Sequence, residues 1–515
     1  MREYAPHAHQ QGIRVVAYLN MHWFTPEFAR QHADWEQIQS DGRPRGEAAP
    51  LYGRGRTFCV TTGWRDWAFT MMQEAMSTGI DGVFLDGPVV YPECCYCASC
   101  RRLFAEEHGQ EIPGEDWSDP VWRDFIGFRE DSLARFLADA QRKVREVNPE
   151  GVIFLNAGSW WPGGWRVARD IQKLEPYQDF TGAEAFFHYG RDPNPYMYLM
   201  AGKYLRASKN PAIVFVHYMN GEWHYRLMPA AEMQMAIVQT VAAGANPWLA
   251  FIHSALKSQP EGSEAPREIF AFLEEKKEYF TGLRSLTEVA VLFSTRTGQN
   301  YLTRFEELYK RPGSGKEEGL EVDLRAEAVR DLAARKGHCE GLLAAAYKGY
   351  FAALTRAHFL FDIILDQDLT EERLARYKVL ALPDGACLAP EAAGAIRGFV
   401  ERGGGLLASF EAGFYDGRGN FTAALFDLLG IERVEGVFPP LASDNYLEAV
   451  EEHWGFSKGC LIERGPYAVK VKARGGVKTP AMFQVPVGRP YVALEGLSEY
   501  PALLMSNYGR GKVVY

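Results

Sequence analysis

The sequence lacks a long apolar run, an excess of positive charge and a paired set of cysteines. No uninterrupted run of about 18 apolar residues occurs, so we expect no membrane-spanning helix. The formal net charge of −10 over 515 residues argues against nucleic acid or an anionic membrane as the main partner. Four of the eight cysteines are scattered singly, which is not the spacing of a disulfide framework. The first residues also lack the apolar core of a signal peptide, and we expect a cytoplasmic protein.

What is present is a long alternation of apolar strands and amphipathic helices between residues 12 and 252. This order predicts an α/β fold, in which a parallel sheet has helices outside it. The predicted strands are 12–20, the strand that ends at Asp86, 152–157, 177–187, 212–220 and 246–252. A closed β/α barrel needs eight strands, so we expect the first strands of a TIM-type barrel to lie outside this sequence. A smaller sheet is the alternative.

A second domain is predicted from about residue 284, where another strand and helix alternation begins. Its strands at 289–294, 361–366, 377–383 and 405–410 predict a flavodoxin-like, doubly wound sheet. No glycine-rich phosphate loop follows the first of them, so we expect neither a flavin nor a nucleotide. The charge-rich stretch 304–336 is expected to be exposed. The predicted domains are therefore 1–283, 284–434 and a β-rich C-terminal segment, 435–515, which we expect to be cut short.

The most informative stretch is residues 79–88, GIDGVFLDGP, where an apolar run ends in a carboxylate and a Gly-Pro break. This pattern predicts a buried parallel strand that brings Asp86 to its C-terminal end. In a β/α barrel, that end of the strands carries the chemistry. Residues 94–100, CCYCASC, follow closely and contain four of the eight cysteines. A carboxylate at a strand end beside a cysteine cluster is more specific than either feature alone.

The clustered cysteines indicate a possible metal site. Cys95, Cys97 and Cys100 have the close spacing of thiolates that wrap a Zn²⁺ ion at about 2.3 Å per sulfur. Cys94 is the local candidate for a fourth ligand. Four thiolates form a closed structural site, so such a metal would hold the loop and take no part in catalysis. Free or paired thiols are the alternative.

Three features occur in an order that resembles a known group of enzymes. They are residues 56–59 (RTFC), residues 95–100 (CYCASC) and residues 109–113 (GQEIP) before a long helix. This order resembles glycoside hydrolase family 42-like barrels and the related hypothetical glycosyl hydrolases. The resemblance implies a carbohydrate substrate, a flavodoxin-like β-galactosidase trimerisation domain and a homo-oligomer, by resemblance a trimer. It also implies Cys59 as the fourth zinc ligand and no cofactor for catalysis.

The sequence departs from that group at the end of the Asp86 strand. Family 42 has Asn-Glu there, and the Glu is the acid/base, whereas this chain reads Leu85-Asp86-Gly87. The family 42 acid/base therefore cannot be assigned here. A strand end reading Phe-Leu-Asp-Gly instead looks like α-fucosidase-type and α-galactosidase-type barrels, in which such an Asp is the nucleophile.

These residues predict a retaining glycoside hydrolase, which needs two carboxylates about 5 Å apart. We assign Asp86 as the nucleophile and Glu184 as the acid/base, since the apolar neighbours of Glu184 (182–187, GAEAFF) should raise its pKa. Glu222 is the rival acid. The alternative for either residue is a structural carboxylate that holds a loop. Two other functions stay open: a family 42 β-galactosidase with displaced catalytic residues, and a non-catalytic carbohydrate-binding or assembly protein.

Further polar and aromatic residues at the predicted strand ends are candidates for substrate binding. Neutral polar groups there hold sugar hydroxyls, and tryptophan rings stack on sugar faces. Core packing is the alternative for each of them. The candidates are Asn156, Trp161, His217, Glu222, Trp248 and His22.

Overall fold

The computed structural model describes most of the chain and divides it into two compact units. The described residues are 2–48, 54–156, 162–187, 194–219, 223, 225–251, 257, 259–310, 332–441, 445–487 and 493–515. The units are Met1–Arg284 and Ser285–Tyr515. The prediction of an α/β fold is confirmed. Within the described residues, no helix is long and apolar enough to cross a membrane.

The first unit is built on six parallel strands that neighbour one another in chain order. Strands β1 to β3 form one ladder and β4 to β6 another, and a parallel bridge between Asn156 and Gly182 connects the two. The strands are β1 (Val16–Asn20), β2 (Gly82–Asp86), β3 (Val152–Leu155), β4 (Thr181–Ala185), β5 (Ala212–His217) and β6 (Asn246–Ala250). Because all six are parallel, their C-terminal ends lie along one edge.

The helices of this unit follow the predicted alternation. They are α1 (Tyr4–Gln10), α2 (Pro26–Gln31), α3 (Arg45–Ala48), α4 (Trp64–Met76), α5 (Ala98–His108), α6 (Pro120–Val147), α7 (Ile171–Leu174), α8 (Met197–Leu205), α9 (Ala230–Ala242) and α10 (Glu264–Glu275). The long helix α6 begins at Pro120, because the Asp119 side chain accepts from Val121 N and Pro120 occupies the first turn.

An aromatic layer lies on one face of the six-stranded sheet, below its C-terminal edge. It consists of Phe84 on β2, Phe154 on β3, Phe215 on β5 and Trp248 on β6. The Trp248 ring centroid lies 4.7 Å from that of Phe84 and 4.6 Å from that of Phe215, both nearly edge to face. Each of the three phenylalanines is at most 4% exposed. Since side chains alternate along a strand, the residue two positions further on lies on the same face, one layer higher.

The second unit is organised around one nine-stranded sheet in the order β15-β14-β17-β18-β19-β11-β9-β7-β8. Strands β7, β8, β9, β11 and β19 pair in parallel, whereas β14, β15, β17 and β18 pair antiparallel. The β-rich C-terminal segment thus extends the same sheet through β19. The members are β7 (Val289–Leu292), β8 (Phe361–Ile364), β9 (Val379–Leu382), β11 (Gly405–Ala408), β14 (Tyr446–Ala449), β15 (Leu461–Glu463), β17 (Lys478–Gln484), β18 (Leu497–Tyr508) and β19 (Gly511–Val514).

Two small ladders and five helices complete the described part of this unit. The ladders join β10 (Cys387–Leu388) to β12 (Tyr415–Asp416), and β13 (Ile431–Val437) to β16 (Val469–Ala473). The helices are α11 (Thr295–Asn300), α12 (Leu332–Arg356), α13 (Glu371–Leu374), α14 (Pro390–Glu401) and α15 (Phe426–Leu429).

The expectation that residues 304–336 are exposed holds only in part, because exposed residues such as Arg304 and Glu307 alternate with buried ones. Tyr309 is 2% exposed, and Lys336, in the first turns of α12, is fully buried. The Lys336 ammonium donates to the Tyr301 carbonyl at 3.2 Å. This hydrogen bond offsets part of the cost of burying a charged group that would otherwise be expected in solvent. Residues 311–331, which include the Gly-Ser-Gly core of the stretch, lie outside the described residues.

Candidate active site

Four polar side chains occupy the layer above the aromatic residues of the first unit. Asp86 is the last residue of β2, Asn156 follows β3, Glu184 lies near the end of β4, and His217 ends β5. Asp86, Asn156 and His217 each stand two residues beyond a phenylalanine of the aromatic layer. The period of two in a strand therefore explains why these groups share one face. The sequence predicted all four residues, and the structure brings them together.

The side-chain amide of Asn156 links the two carboxylates. Its Nδ2 donates to Asp86 Oδ1 at 3.2 Å, and the same amide is one of the groups that lower the pKa of the Glu184 carboxyl. Asn156 is only 7% exposed, and its backbone N–H is fixed to the Leu85 carbonyl at 2.9 Å. The position of the amide is thus set by the sheet, and the amide in turn sets the positions of Asp86 and Glu184.

The second oxygen of Asp86 is held by a residue that the sequence did not single out. The Tyr18 hydroxyl on β1 donates to Asp86 Oδ2 at 2.6 Å. Tyr18 pairs with Phe84 in the parallel ladder, so it lies one layer below Asp86 on the neighbouring strand. The pattern of β1 could have indicated it, because a tyrosine two residues before a strand end faces the site. His22 also lies here, with Nδ1 2.8 Å from the Asp86 backbone oxygen and 3.7 Å from Oδ2.

Glu184 forms a close pair with His217. The distance from His217 Nε2 to Glu184 Oε1 is 3.0 Å, and the imidazole stacks on Phe186 with ring centroids 4.8 Å apart. Burial by itself raises the pKa of Glu184. The hydrogen bonds and charges of His217, Asn156 and Arg169 together lower it by more, so the pKa lies below the ordinary value. The expectation that apolar neighbours raise this pKa is wrong, because the polar groups come from other strands. The Glu184 side chain is also 43% exposed.

Arg169 is a second residue of the site that sequence reasoning missed. It ends the loop after β3, and its guanidinium lies within the electrostatic reach of both Asp86 and Glu184. Its Nε is buried and makes no hydrogen bond to a described residue. No periodicity or motif marks this arginine, since only the path of the loop brings it to the strand ends.

The two loops that frame the site are joined by one buried arginine, Arg129 of α6, which is 2% exposed. Its Nη2 donates to the carbonyls of Val90 and Tyr91, at 3.0 and 2.8 Å, in the loop after Asp86. The same guanidinium reaches the carbonyls of Trp165 and Arg166, at 3.3 and 2.8 Å, in the loop that carries Arg169. Arg129 therefore fixes the two loops to each other and to the helix behind them.

The remaining predicted substrate contacts are placed differently or are not described. Trp248, expected at the sugar face, packs edge to face among the aromatic layer, where core packing accounts for its contacts. Trp161 and Glu222 lie outside the described residues.

A cluster of four cysteines lies in the same unit. The sulfur atoms of Cys59, Cys95, Cys97 and Cys100 all lie within 4.8 Å of one another, and all four residues are buried. A tetrahedral Zn²⁺ with sulfurs at about 2.3 Å requires sulfur pairs about 3.8 Å apart. Cys59 and Cys100, 3.5 Å apart, fit this spacing. The donor set therefore suits a structural zinc ion.

The fourth member of the cluster is Cys59 and not its sequence neighbour Cys94. Cys94 is fully buried but lies outside the group of four, and burial raises the pKa of its thiol above the usual range. The Cys97 thiol, in contrast, has a lowered pKa, because the sulfurs of Cys100, Cys59 and Cys95 hydrogen-bond to it. A thiolate is the form that binds a metal, so Cys97 is prepared for this role.

Part of the chain matches a family model, and the whole chain is similar to solved structures. Residues 1–87, which include Tyr18, His22 and Asp86, match the family model described as hypothetical glycosyl hydrolase 6. The predicted resemblance is confirmed, and the predicted enzyme class, glycoside hydrolase, is the class of this family and of the structural neighbours. No curated protein sequence matches the chain significantly.

The similar solved structures include β-galactosidases and an α-L-fucosidase. The β-galactosidase from Bacillus circulans sp. alkalophilus has a TM-score of 0.73 at 17% identity, over 100% of this chain and 77% of that chain. A GH42 β-galactosidase from G. stearothermophilus has a TM-score of 0.70 at 15% identity, over 100% and 76%. The α-L-fucosidase isoenzyme 2 from Paenibacillus thiaminolyticus has a TM-score of 0.65 at 17% identity, over 98% and 68%. At identities this low, the similarity establishes a shared α/β fold. The activity has to be inferred from the residues of the site.

Proposed function

We propose that this protein is a retaining glycoside hydrolase that cleaves O-glycosidic bonds, with Asp86 as nucleophile and Glu184 as acid/base. The observation that carries the proposal is the shared amide of Asn156. This amide donates to Asp86 Oδ1 at 3.2 Å and also lowers the pKa of Glu184, so it lies between the two carboxyl groups. Retaining enzymes hold their two carboxyl groups about 5 Å apart, whereas inverting enzymes place a water between carboxylates about 6.5 to 9.5 Å apart.

In the first step, an Asp86 carboxylate oxygen attacks the anomeric carbon of the sugar. The bond between that carbon and the glycosidic oxygen breaks, and the leaving oxygen takes a proton from Glu184. In the second step, water attacks the same carbon and gives its proton to Glu184, and the ester bond to Asp86 breaks. The Tyr18 hydroxyl and the Asn156 amide each donate to one carboxylate oxygen of Asp86 and keep it oriented for the attack.

The pKa of Glu184 lies below its ordinary value in the free protein, so Glu184 must gain its proton when substrate binds. When a sugar displaces water, burial raises the pKa of a carboxyl, which favours the protonated form that the first step needs. His217, with Nε2 at 3.0 Å from Glu184 Oε1, keeps this carboxyl oriented.

The resemblance to glycoside hydrolase family 42-like barrels also supports a proposal for the fold around this site. We propose that the six strands belong to a TIM-type β/α barrel and that the parallel strands of the second unit are a flavodoxin-like trimerisation domain. Cys59, Cys95, Cys97 and Cys100 would hold a Zn²⁺ ion that fixes the loop after Asp86, without a part in the reaction. The partner is a carbohydrate, and the assembly a homo-oligomer.

The test is covalent capture of the nucleophile. A panel of 2-deoxy-2-fluoroglycosyl fluorides, of galacto, gluco and fuco configuration, should label the protein with one sugar, and peptide mass spectrometry should place it on Asp86. Asp86→Asn should abolish both labelling and hydrolysis of the matching aryl glycoside, while Asp81→Asn, at the other end of the same strand, should retain both. Label on another residue, or hydrolysis unchanged in Asp86→Asn, contradicts the assignment.

A further inference from the structure

The position of Arg169 in the site is not explained by the two-carboxylate mechanism. Burying a guanidinium is costly unless carboxylates and hydrogen bonds compensate it. Burial lowers the pKa of Arg169, and the negative charges of Asp86 and Glu184 work in the opposite direction. Yet among the described residues Arg169 forms no ion pair, and its buried Nε makes no hydrogen bond.

Both carboxylates near Arg169 have other partners. Asp86 accepts from Tyr18 and Asn156, at 2.6 and 3.2 Å. Glu184 is paired with His217 at 3.0 Å and with the same amide. Among the described residues neither carboxylate bonds the Arg169 guanidinium, and Arg169 is only half-buried, so its outer nitrogens can reach a ligand although the buried Nε cannot.

The loop that carries Arg169 is held rigidly enough to present it. Arg129 fixes the Trp165 and Arg166 carbonyls at 3.3 and 2.8 Å, and Arg169 N donates to the Gly164 carbonyl at 3.1 Å. Arg166 in the same loop lies over the Trp165 ring at 4.6 Å. A planar guanidinium on a fixed loop is the donor that best recognises a carboxylate or sulfate, through two parallel hydrogen bonds.

We propose that Arg169 determines specificity at this site by binding an acidic group, a carboxylate or a sulfate, on the sugar that the two carboxylates process. The inference deepens the proposed function and rests on it, since the guanidinium lies beside the carboxylates assigned to catalysis. A neutral sugar would offer Arg169 ordinary hydrogen bonds, but not the stronger charge-assisted pair that a carboxylate or sulfate forms with a guanidinium. An acidic sugar would be repelled by Asp86 and Glu184 if Arg169 were absent.

The test measures binding of free monosaccharides by calorimetry, so it does not depend on turnover. Galacturonate, galactose 6-sulfate and galactose are compared, with glucuronate and glucose as a second pair. At least one acidic sugar should bind about tenfold or more tightly than its neutral counterpart, because one charge-assisted bidentate contact is worth that factor. The carboxylate and sulfate arms show which acidic group the site takes.

Variants assign the effect to the guanidinium. Arg169→Gln should remove the preference and leave neutral sugar binding within about twofold, Arg169→Lys should restore part of it, and Arg166→Gln in the same loop should keep it. Equal or tighter binding of neutral sugars by the unaltered protein overturns the inference. So does an equal loss of both sugars in Arg169→Gln. If the acidic preference depends on Arg169 but Asp86 takes no label even from the 2-deoxy-2-fluoroglycosyl fluoride of the preferred acidic sugar, the inference stands and the proposed mechanism fails.

Discussion

Replacing Asn156 by alanine tests the central feature of the site, the amide that holds both carboxylates. The change removes a donor at 3.2 Å from Asp86 Oδ1 and a group that lowers the pKa of Glu184, while the backbone bond from residue 156 to the Leu85 carbonyl remains. A hydrogen bond to a charged group contributes about 1.5 to 3 kcal/mol. If the transition state loses one such bond, kcat/KM falls about 10- to 100-fold.

The pH dependence gives a second readout with a definite sign. The amide is one of the groups that lower the pKa of Glu184, so its removal favours the protonated carboxyl and raises that pKa. In the proposed mechanism Glu184 must be protonated for the first step, so activity declines as pH rises through its pKa. The alkaline limb of kcat/KM should therefore move to higher pH in Asn156→Ala.

The assay is the pH profile of kcat/KM on the aryl glycoside identified by covalent labelling. Asn210 provides a matched control, because its Nδ2 also holds two acceptors, the carbonyls of Glu175 and Gln178 at 2.7 and 2.8 Å. Asn210→Ala should lower stability but leave the profile in place. An Asn156→Ala profile that coincides with that of the unaltered protein, at a similar rate, would refute the reasoning.

Three further predictions concern the framework. Cys97→Ser should lower the melting temperature by several degrees and reduce bound zinc measured by elemental analysis, since a structural zinc contributes folding free energy. Arg129→Met should lower the free energy of unfolding by about 3 to 5 kcal/mol in urea, because two buried and two partly buried carbonyls lose their donor. Burial raises the pKa of Asp384 to about 7, so the folded state binds a proton that the unfolded state releases at lower pH. The stability due to this group should fall as pH rises toward 7, and Asp384→Asn should flatten that slope in urea unfolding at pH 5 and 8.

Each of these predictions has a contrasting result. Cys94→Ser should keep the zinc, because Cys94 lies outside the cluster, and equal zinc loss from both serine variants would contradict the assigned ligands. Hydrogen exchange in the loops at 88–93 and 162–169 should speed up in Arg129→Met, and unchanged exchange would show that the loops hold without it. A steeper pH dependence in Asp384→Asn would reverse the sign derived for that carboxyl.

Much of the architecture follows from local sequence pattern. The apolar runs before Asp86, Asn156 and His217 predict buried strands, and a period of two places the residues at their ends on one face. The close spacing of Cys95, Cys97 and Cys100 along the chain is enough to predict that they cluster. These features are local, because the physical cause of each lies within about ten residues of chain.

The sequence could not determine what surrounds those residues. Tyr18, Arg169 and Arg129 contact the site only because strands and loops distant in the chain converge at one edge of the sheet. For the same reason, the pKa of Glu184 was expected to be raised and is lowered, since its apolar sequence neighbours matter less than His217 and Asn156 from adjacent strands. Cys94 is the sequence neighbour of Cys95, yet it lies outside the cluster, whereas the distant Cys59 belongs to it. The distances between sulfur atoms in the folded chain decide which cysteines cluster, and these distances do not follow from spacing along the chain.

The sequence by itself thus determined which residues stand at the strand ends and that they carry carboxylates, an amide and an imidazole. The tertiary structure decided how these groups are paired, which of their charges are compensated and which donor is left for a ligand. The physical reason is that strand formation and side-chain alternation are short-range effects, whereas hydrogen bonding and electrostatic shifts depend on distances between strands that only the folded sheet fixes.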